Sequence, residues 1–179
     1  MKNRLIEKIS GKQEIAKLNL LCFPYAGAGA SVYYRWKEYF GNKVMIYAIQ
    51  LPGRENRISE PMYASVDEIM PDLLEAVGEI VKEKFILFGH SMGAKIAYEL
   101  EKRLEQSGIY ARHLIVSGSR PPHIPEPNPI CNLPKREFIR ELTRFAGTPK
   151  EILGNEEMMN FFIPLLRADL DRKSTRLNS

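Results

Sequence analysis

Cysteine is scarce in this chain. Cys22 and Cys131 are the only two in 179 residues, which excludes a disulfide framework and a CxxC zinc site. Long apolar runs are absent: none approaches the roughly 20 residues that a membrane span needs. The opening Met1-Lys-Asn-Arg-Leu-Ile-Glu-Lys8 carries charges where a secretory leader needs an unbroken apolar stretch. A dominant charge sign is missing too. The 26 basic and 22 acidic residues leave a net +4, scattered without a Lys/Arg block, which argues against a nucleic-acid footprint. Apolar residues make up 44% of the chain, an ordinary globular share that excludes a disordered one. The expectation is a soluble, cytoplasmic protein with one core and at most an appended lobe.

What is present is an alternation. Leu18–Phe23, Val44–Leu51, Phe85–Phe88 and His113–Ser117 are short apolar runs of strand type. Between them lie helical patterns. Ser31 is placed to cap a helix from Val32 to Phe40, which Gly41 would end. Ser65 and Glu68 fit a capping box ahead of Ile69, Leu73, Val77 and Ile80. Pro71 requires that helix either to begin near it or to kink there. Met92–Gln106 presents Ile96, Leu100 and Leu104 on one face, with Gly108 as its stop. Strands separated by helices predict a doubly wound α/β fold with a mostly parallel sheet flanked by helices.

The alternation stops after Arg120. Pro121, Pro122, Pro125, Pro127 and Pro129 exclude a regular helix or a central strand there. Beyond them only helical signals follow. Pro134 opens a helix through Phe145, with Phe138, Leu142 and Phe145 on one side and Gly147 at its end. Thr148-Pro-Lys-Glu151 matches a second capping box, and Asn155 caps a helix from Glu156 to about Leu170. These helices predict a lid: residues 1–120 form the core and residues 121–170 a proline-linked helical cap.

The chemistry concentrates at Gly89-His-Ser-Met-Gly93. GxSxG directly after a strand and directly before an amphipathic helix describes a sharp turn that lifts Ser91 above the sheet. The helix N-terminus beside it favours developing negative charge. The N–H of Met92 is the natural first donor of an oxyanion hole, and the loop Pro24-Tyr-Ala-Gly-Ala-Gly29 supplies the second, with Ala26 as the candidate. The plain alternatives are an anion-binding helix terminus and a packing turn.

Phe23-Pro-Tyr-Ala-Gly27, Gln50-Leu-Pro-Gly-Arg54, Phe88-Gly-His-Ser-Met-Gly-Ala94, Pro121-Pro-His123 and Phe161-Phe-Ile-Pro-Leu-Leu-Arg-Ala-Asp169 occur in this order. In this the chain resembles the type II thioesterases, the discrete α/β-hydrolases that accompany nonribosomal peptide and polyketide synthetases. The resemblance runs from about Leu18 to Asp169. It implies hydrolysis of acyl or aminoacyl thioesters from the phosphopantetheine arm of carrier proteins, with no cofactor of the enzyme's own. It also implies Ser91 as nucleophile, with the backbone N–H groups of Ala26 and Met92 as oxyanion hole. Lys135, Arg136, Arg140 and Arg144 on the lid are then candidates for facing an acidic carrier surface; a solvated helix face is the bland reading.

The chain also departs from that family. There the acid and histidine of the triad follow two further strands beyond the lid, whereas residues 171–179 resemble neither a strand nor the family. The sequence therefore reads as truncated at its C-terminus, without those strands, and as inactive by itself. His90 should point away from Ser91, and His113 begins a strand at the far end. His123 is the only geometrically conceivable base, and the resemblance argues against it, since the family does not use that position for general-base work. Asp169 and Asp171 read as solvated lid or tail charges. Cys22 reads as inert core and Cys131 as part of a flexible segment. Phe138, Phe145, Phe161 and Phe162 read as packing first and acyl-pocket lining second. Two other functions stay open: a carboxylesterase or lipase using the same GxSxG chemistry, and a non-catalytic carrier-binding module.

Overall fold

All four apolar runs are strands in the computed structural model, which describes residues 4–10, 16–121, 124, 126–144 and 155–174. They are β2 (Leu18–Phe23), β3 (Val44–Ile49), β4 (Phe85–His90) and β5 (His113–Ser117), preceded by a strand not foreseen, β1 (Ile6–Ser10). The sheet order is β1-β3-β2-β4-β5. β2 pairs in parallel with both β3 and β4, β4 in parallel with β5, and β1 lies antiparallel on β3. β1 escaped the sequence reading because its two isoleucines sit among Glu, Lys and Ser, and the register shifts between Lys8 and Ser10.

Alternation of side chains sends the central strands' apolar residues to two covered faces. Leu21, Phe23, Ile49, Phe85 and Leu87 meet α2 (Val66–Val77) and α3 (Met92–Gln106) in the main core. Leu20, Cys22, Ile46 and Ala48 meet Ala30 and Tyr33 of a 3-10 segment, Ala30–Trp36, that leads into the short α1 (Lys37–Phe40). Ser31 does not cap this segment; its hydroxyl donates to Glu55 Oε1 instead. At α2 the Ser65 side chain accepts the Glu68 N–H at 3.2 Å, and the helix runs through Pro71, whose ring lies on the exposed face.

The lid has its own core. α4 (Lys135–Arg144) and α5 (Glu156–Ser174) enclose Phe138, Leu142, Met159, Leu166 and Leu170 together with Ile130 and Cys131. Asn155 Oδ1 accepts the Met158 N–H at 3.0 Å, so it caps α5 as its position indicated. α5 continues past Leu170 to Ser174. The expectations for Phe145, Gly147 and the Thr148–Glu151 capping box lie outside the described residues. No helix among the described residues is long and apolar enough to cross a membrane.

Candidate active site

Chain order sets where a site must form. From β2 the chain goes to β3 on one side of it and then crosses to β4 on the other. The connections therefore diverge between β2 and β4, and the crevice beyond the strand ends at such a switch point is where α/β sheets bind ligands. The register brings three strand ends level: Phe23 pairs with Gly89, and His90 with Ser117. Ser91 follows immediately, at the mouth of that crevice.

The turn at Ser91 is tight. Its backbone adopts φ 55° and ψ −113°, a left-handed conformation that costs a non-glycine residue about 1–3 kcal/mol and persists only where its surroundings impose it. Those surroundings are visible. A Cβ on Gly89 would lie 2.4 Å from Ala94 Cα, and one on Gly93 would lie 2.1 Å from the Phe23 carbonyl oxygen. Only glycine lets strand, turn and helix approach so closely. The Ser91 N–H donates to the Ser117 carbonyl at 2.8 Å, fixing the turn to β5. The Ser91 side chain does not cap α3 and makes no hydrogen bond among the described residues, so its hydroxyl remains available.

Met92 is fully buried at the first position of α3, where its N–H has no helical acceptor. The contact of Gly93 with the Phe23 and Pro24 carbonyls brings this helix end against the start of the loop that carries Ala26. Ala26 packs against both the main core and the lid core. The three residues expected at the site, Ser91, Met92 and Ala26, thus lie at one end of the sheet, around the β2–β4 crevice.

Two of the three histidines, His90 and His113, lie among the described residues. The His90 ring is held 3.0 Å from the Ser117 hydroxyl and edge-on to Tyr25, and it fills the space over Gly118. His113 is exposed at the start of β5. His123 lies outside the described residues. Cys22 is fully buried, and burial pushes its thiol pKa up. Cys131 corrects the expectation of a flexible segment. It sits in the lid core beside Asp171, and burial first and the Asp171 carboxylate second raise its thiol pKa.

Asp169 is the largest correction. It was expected as a solvated charge and is completely buried. Its Oδ2 accepts the Gly27 N–H at 2.7 Å and Arg54 Nη1 at 2.8 Å, while Oδ1 accepts Arg54 Nη2 at 3.0 Å and a further bond from Arg172. Arg54 in turn donates to the Ala28 carbonyl at 3.3 Å, and Gln50 Oε1 accepts the Ala30 N–H at 2.7 Å. A polar network joining three distant segments thus grips the loop at Gly27, Ala28 and Ala30. The sequence contained a hint. Leu165, Leu166, Asp169 and Arg172 recur at helical spacing, which puts Asp169 and Arg172 on the buried stripe of α5.

Among the lid aromatics, Phe138 is fully buried under the Arg167 guanidinium. Phe161 and Phe162 line a cavity of about 210 Å³ with Gly53, Met62 and Leu165. Of the lid cations, Lys135 pairs with Glu156, and Arg140 and Arg144 both face Glu141, which leaves less free positive charge than the sequence count suggests.

The comparisons with known proteins agree with the fold. The chain is 42% identical over 156 residues to the gramicidin S biosynthesis protein GrsT of Aneurinibacillus migulanus, covering 86% of this chain and 61% of that one. It is 34% identical over 163 residues to the thioesterase PikA5 of Streptomyces venezuelae, covering 90% and 58%. Among solved structures, the thioesterase RedJ from the prodiginine pathway of Streptomyces coelicolor superimposes with a TM-score of 0.83 at 34% identity, over 94% of this chain and 67% of that one. The chain therefore spans about three-fifths of the length of these curated relatives. Its five-stranded mixed sheet is that of the α/β-hydrolase fold seen in thioesterases. The thioesterase domain family matches residues 18–176, and the chain belongs to that family.

Proposed function

We propose that the protein hydrolyses acyl or aminoacyl thioesters carried on the phosphopantetheine arm of carrier proteins, with Ser91 as nucleophile. Ser91 Oγ attacks the thioester carbonyl and passes its proton to a general base. The carbonyl oxygen becomes an oxyanion that accepts hydrogen bonds from the N–H groups of Ala26 and Met92. The C–S bond then breaks, the pantetheine thiol leaves with a proton, and water hydrolyses the acyl-serine ester. The cycle draws on no cofactor. The observation that carries this reading is the strained Ser91 at the start of α3, beside the β2–β4 crevice, whose hydroxyl has no hydrogen-bond partner among the described residues.

No imidazole or carboxylate bonds to Ser91 among the described residues, and the identity of the general base stays open. The synthetase setting is supported by the relatives, whose names tie them to gramicidin S and prodiginine biosynthesis. Carrier proteins of such synthetases are the proposed partners, and the cytoplasm is the proposed location. The test is a comparison of substrates: the same acyl group on a carrier-bound phosphopantetheine and on a simple aryl ester. Faster release from the carrier supports the proposal. Preference for the aryl ester points to a carboxylesterase, and carrier binding without release of either points to a binding module.

A further inference from the structure

We propose that Asp169 is a positioning residue for the Ala26–Gly27 loop, so that docking of the lid helix α5 and the setting of the oxyanion donors are one event. The inference rests on the reading of Ala26 as an oxyanion donor. Three observations carry it. Asp169 lies 142 residues from Gly27 in the chain, yet its buried carboxylate directly accepts the Gly27 N–H. The same carboxylate orients the Arg54 fork, whose Nη1 also holds the Ala28 carbonyl. Three residues earlier on the helix's inner face, the Leu166–Gly27 contact is so close that a Cβ on Gly27 would lie 2.8 Å from Leu166 Cδ2, and Gly27 adopts φ +81°.

The physical consequence is a linkage. Arg172 sits on α5 and moves with Asp169, so only the bonds to Arg54 and Gly27 depend on α5 being seated, and withdrawing the helix strands the buried Arg54 without its charge partner. Arg54 and Gly27 would then have to find new partners, and the loop on which Ala26 sits would shift. Oxyanion donors work only near their productive geometry, and a misplacement of about 1 Å costs roughly 10²-fold in rate. A partner that levers the lid would thus control the donor loop as well as access to the serine.

The test uses residues 1–179 and amide hydrogen exchange read residue by residue. Asp169→Asn should speed exchange at Gly27 by at least about 10-fold while β2 amides stay protected. Arg54→Lys keeps the charge but loses the fork, and should act in the same direction with less risk to folding. Arg167→Met removes only a contact within the lid, that of α5 to the Cys131 and Leu133 carbonyls, and leaves the α5–loop clamp in place, so it should leave Gly27 within about 2-fold. With acyl-S-pantetheine as substrate and imidazole as base, Asp169→Asn should lower kcat by about 10- to 100-fold with little change in KM. Unchanged Gly27 exchange in both clamp variants overturns the proposal, as does faster exchange with kcat retained. If Ser91→Ala retains turnover, the serine reading fails, while the exchange comparison still decides the clamp.

Discussion

The carbonyl oxygen of Phe23 lies where a side chain on Gly93 would have to begin: a Cβ there would be 2.1 Å from it. The first turn of α3 and the end of β2 are therefore in backbone contact. That contact fixes the helix end carrying Met92 relative to the loop carrying Ala26, and it leaves no room for adjustment because both partners are main chain.

Gly93→Ala should therefore destabilise the protein by about 1–3 kcal/mol, the usual cost of overpacking. At about 2–4 °C per kcal/mol, this is a readable fall in Tm. Gly78→Ala is the internal control. Gly78 has helical φ and ψ, and its nearest neighbour to a new Cβ is a carbonyl oxygen at 3.4 Å. That substitution should stabilise by about 0.4–1 kcal/mol through the unfolded chain. Thermal melts of the two variants should move in opposite directions.

Glu101 gives a pH dependence with a definite sign. Burial raises its carboxyl pKa above the usual range, although the Ala111 N–H donates to Oε1 at 3.0 Å, and Oε2 is buried without a partner. A raised folded pKa means that the stability this group contributes is fully present below its unfolded pKa of about 4.3 and is lost as pH rises through the folded value. Glu101→Gln should therefore melt higher than the parent at neutral pH, and the gap should close on titration toward pH 4. A gap independent of pH would contradict the buried-charge account.

If Ser91 is the nucleophile, as proposed, imidazole added in solution should serve as its base. Residues 1–179 should release acyl groups from S-acyl pantetheine slowly, because an unassisted serine hydroxyl is a weak nucleophile. Added imidazole should raise that rate in proportion to its neutral form, and the increase should vanish in Ser91→Ala. Rapid turnover without imidazole, lost in His123→Ala, would instead assign the base to His123.

Much of this architecture was legible in the residues. Leu18–Phe23, Met92–Gln106 and His113–Ser117 match the strands and helix found there because apolar runs, caps and glycine stops agree with one another. GxSxG was legible because its meaning lies in a local strand–turn–helix context. The joining of Asp169, Arg54 and Gln50 was not: helical spacing hints that Asp169 is buried, but a hydrogen bond between residues 115 apart leaves no mark on periodicity. A charged residue in an apolar helix also reads by default as solvated. β1 failed for a different reason: a five-residue strand with an irregular register shows neither period. Ser31 failed through competition, because Glu55 reaches it from 24 residues away.

The central claim is that Ser91 carries the acyl group, and mass spectrometry of the protein tests it most directly. Residues 1–179 are mixed with S-acyl pantetheine in the presence of imidazole, quenched in acid, digested and mapped. The account predicts an acyl adduct on the peptide containing Ser91, absent from Ser91→Ala, together with loss of thioester hydrolysis in that variant. An adduct on another residue, or undiminished hydrolysis by Ser91→Ala, would contradict it.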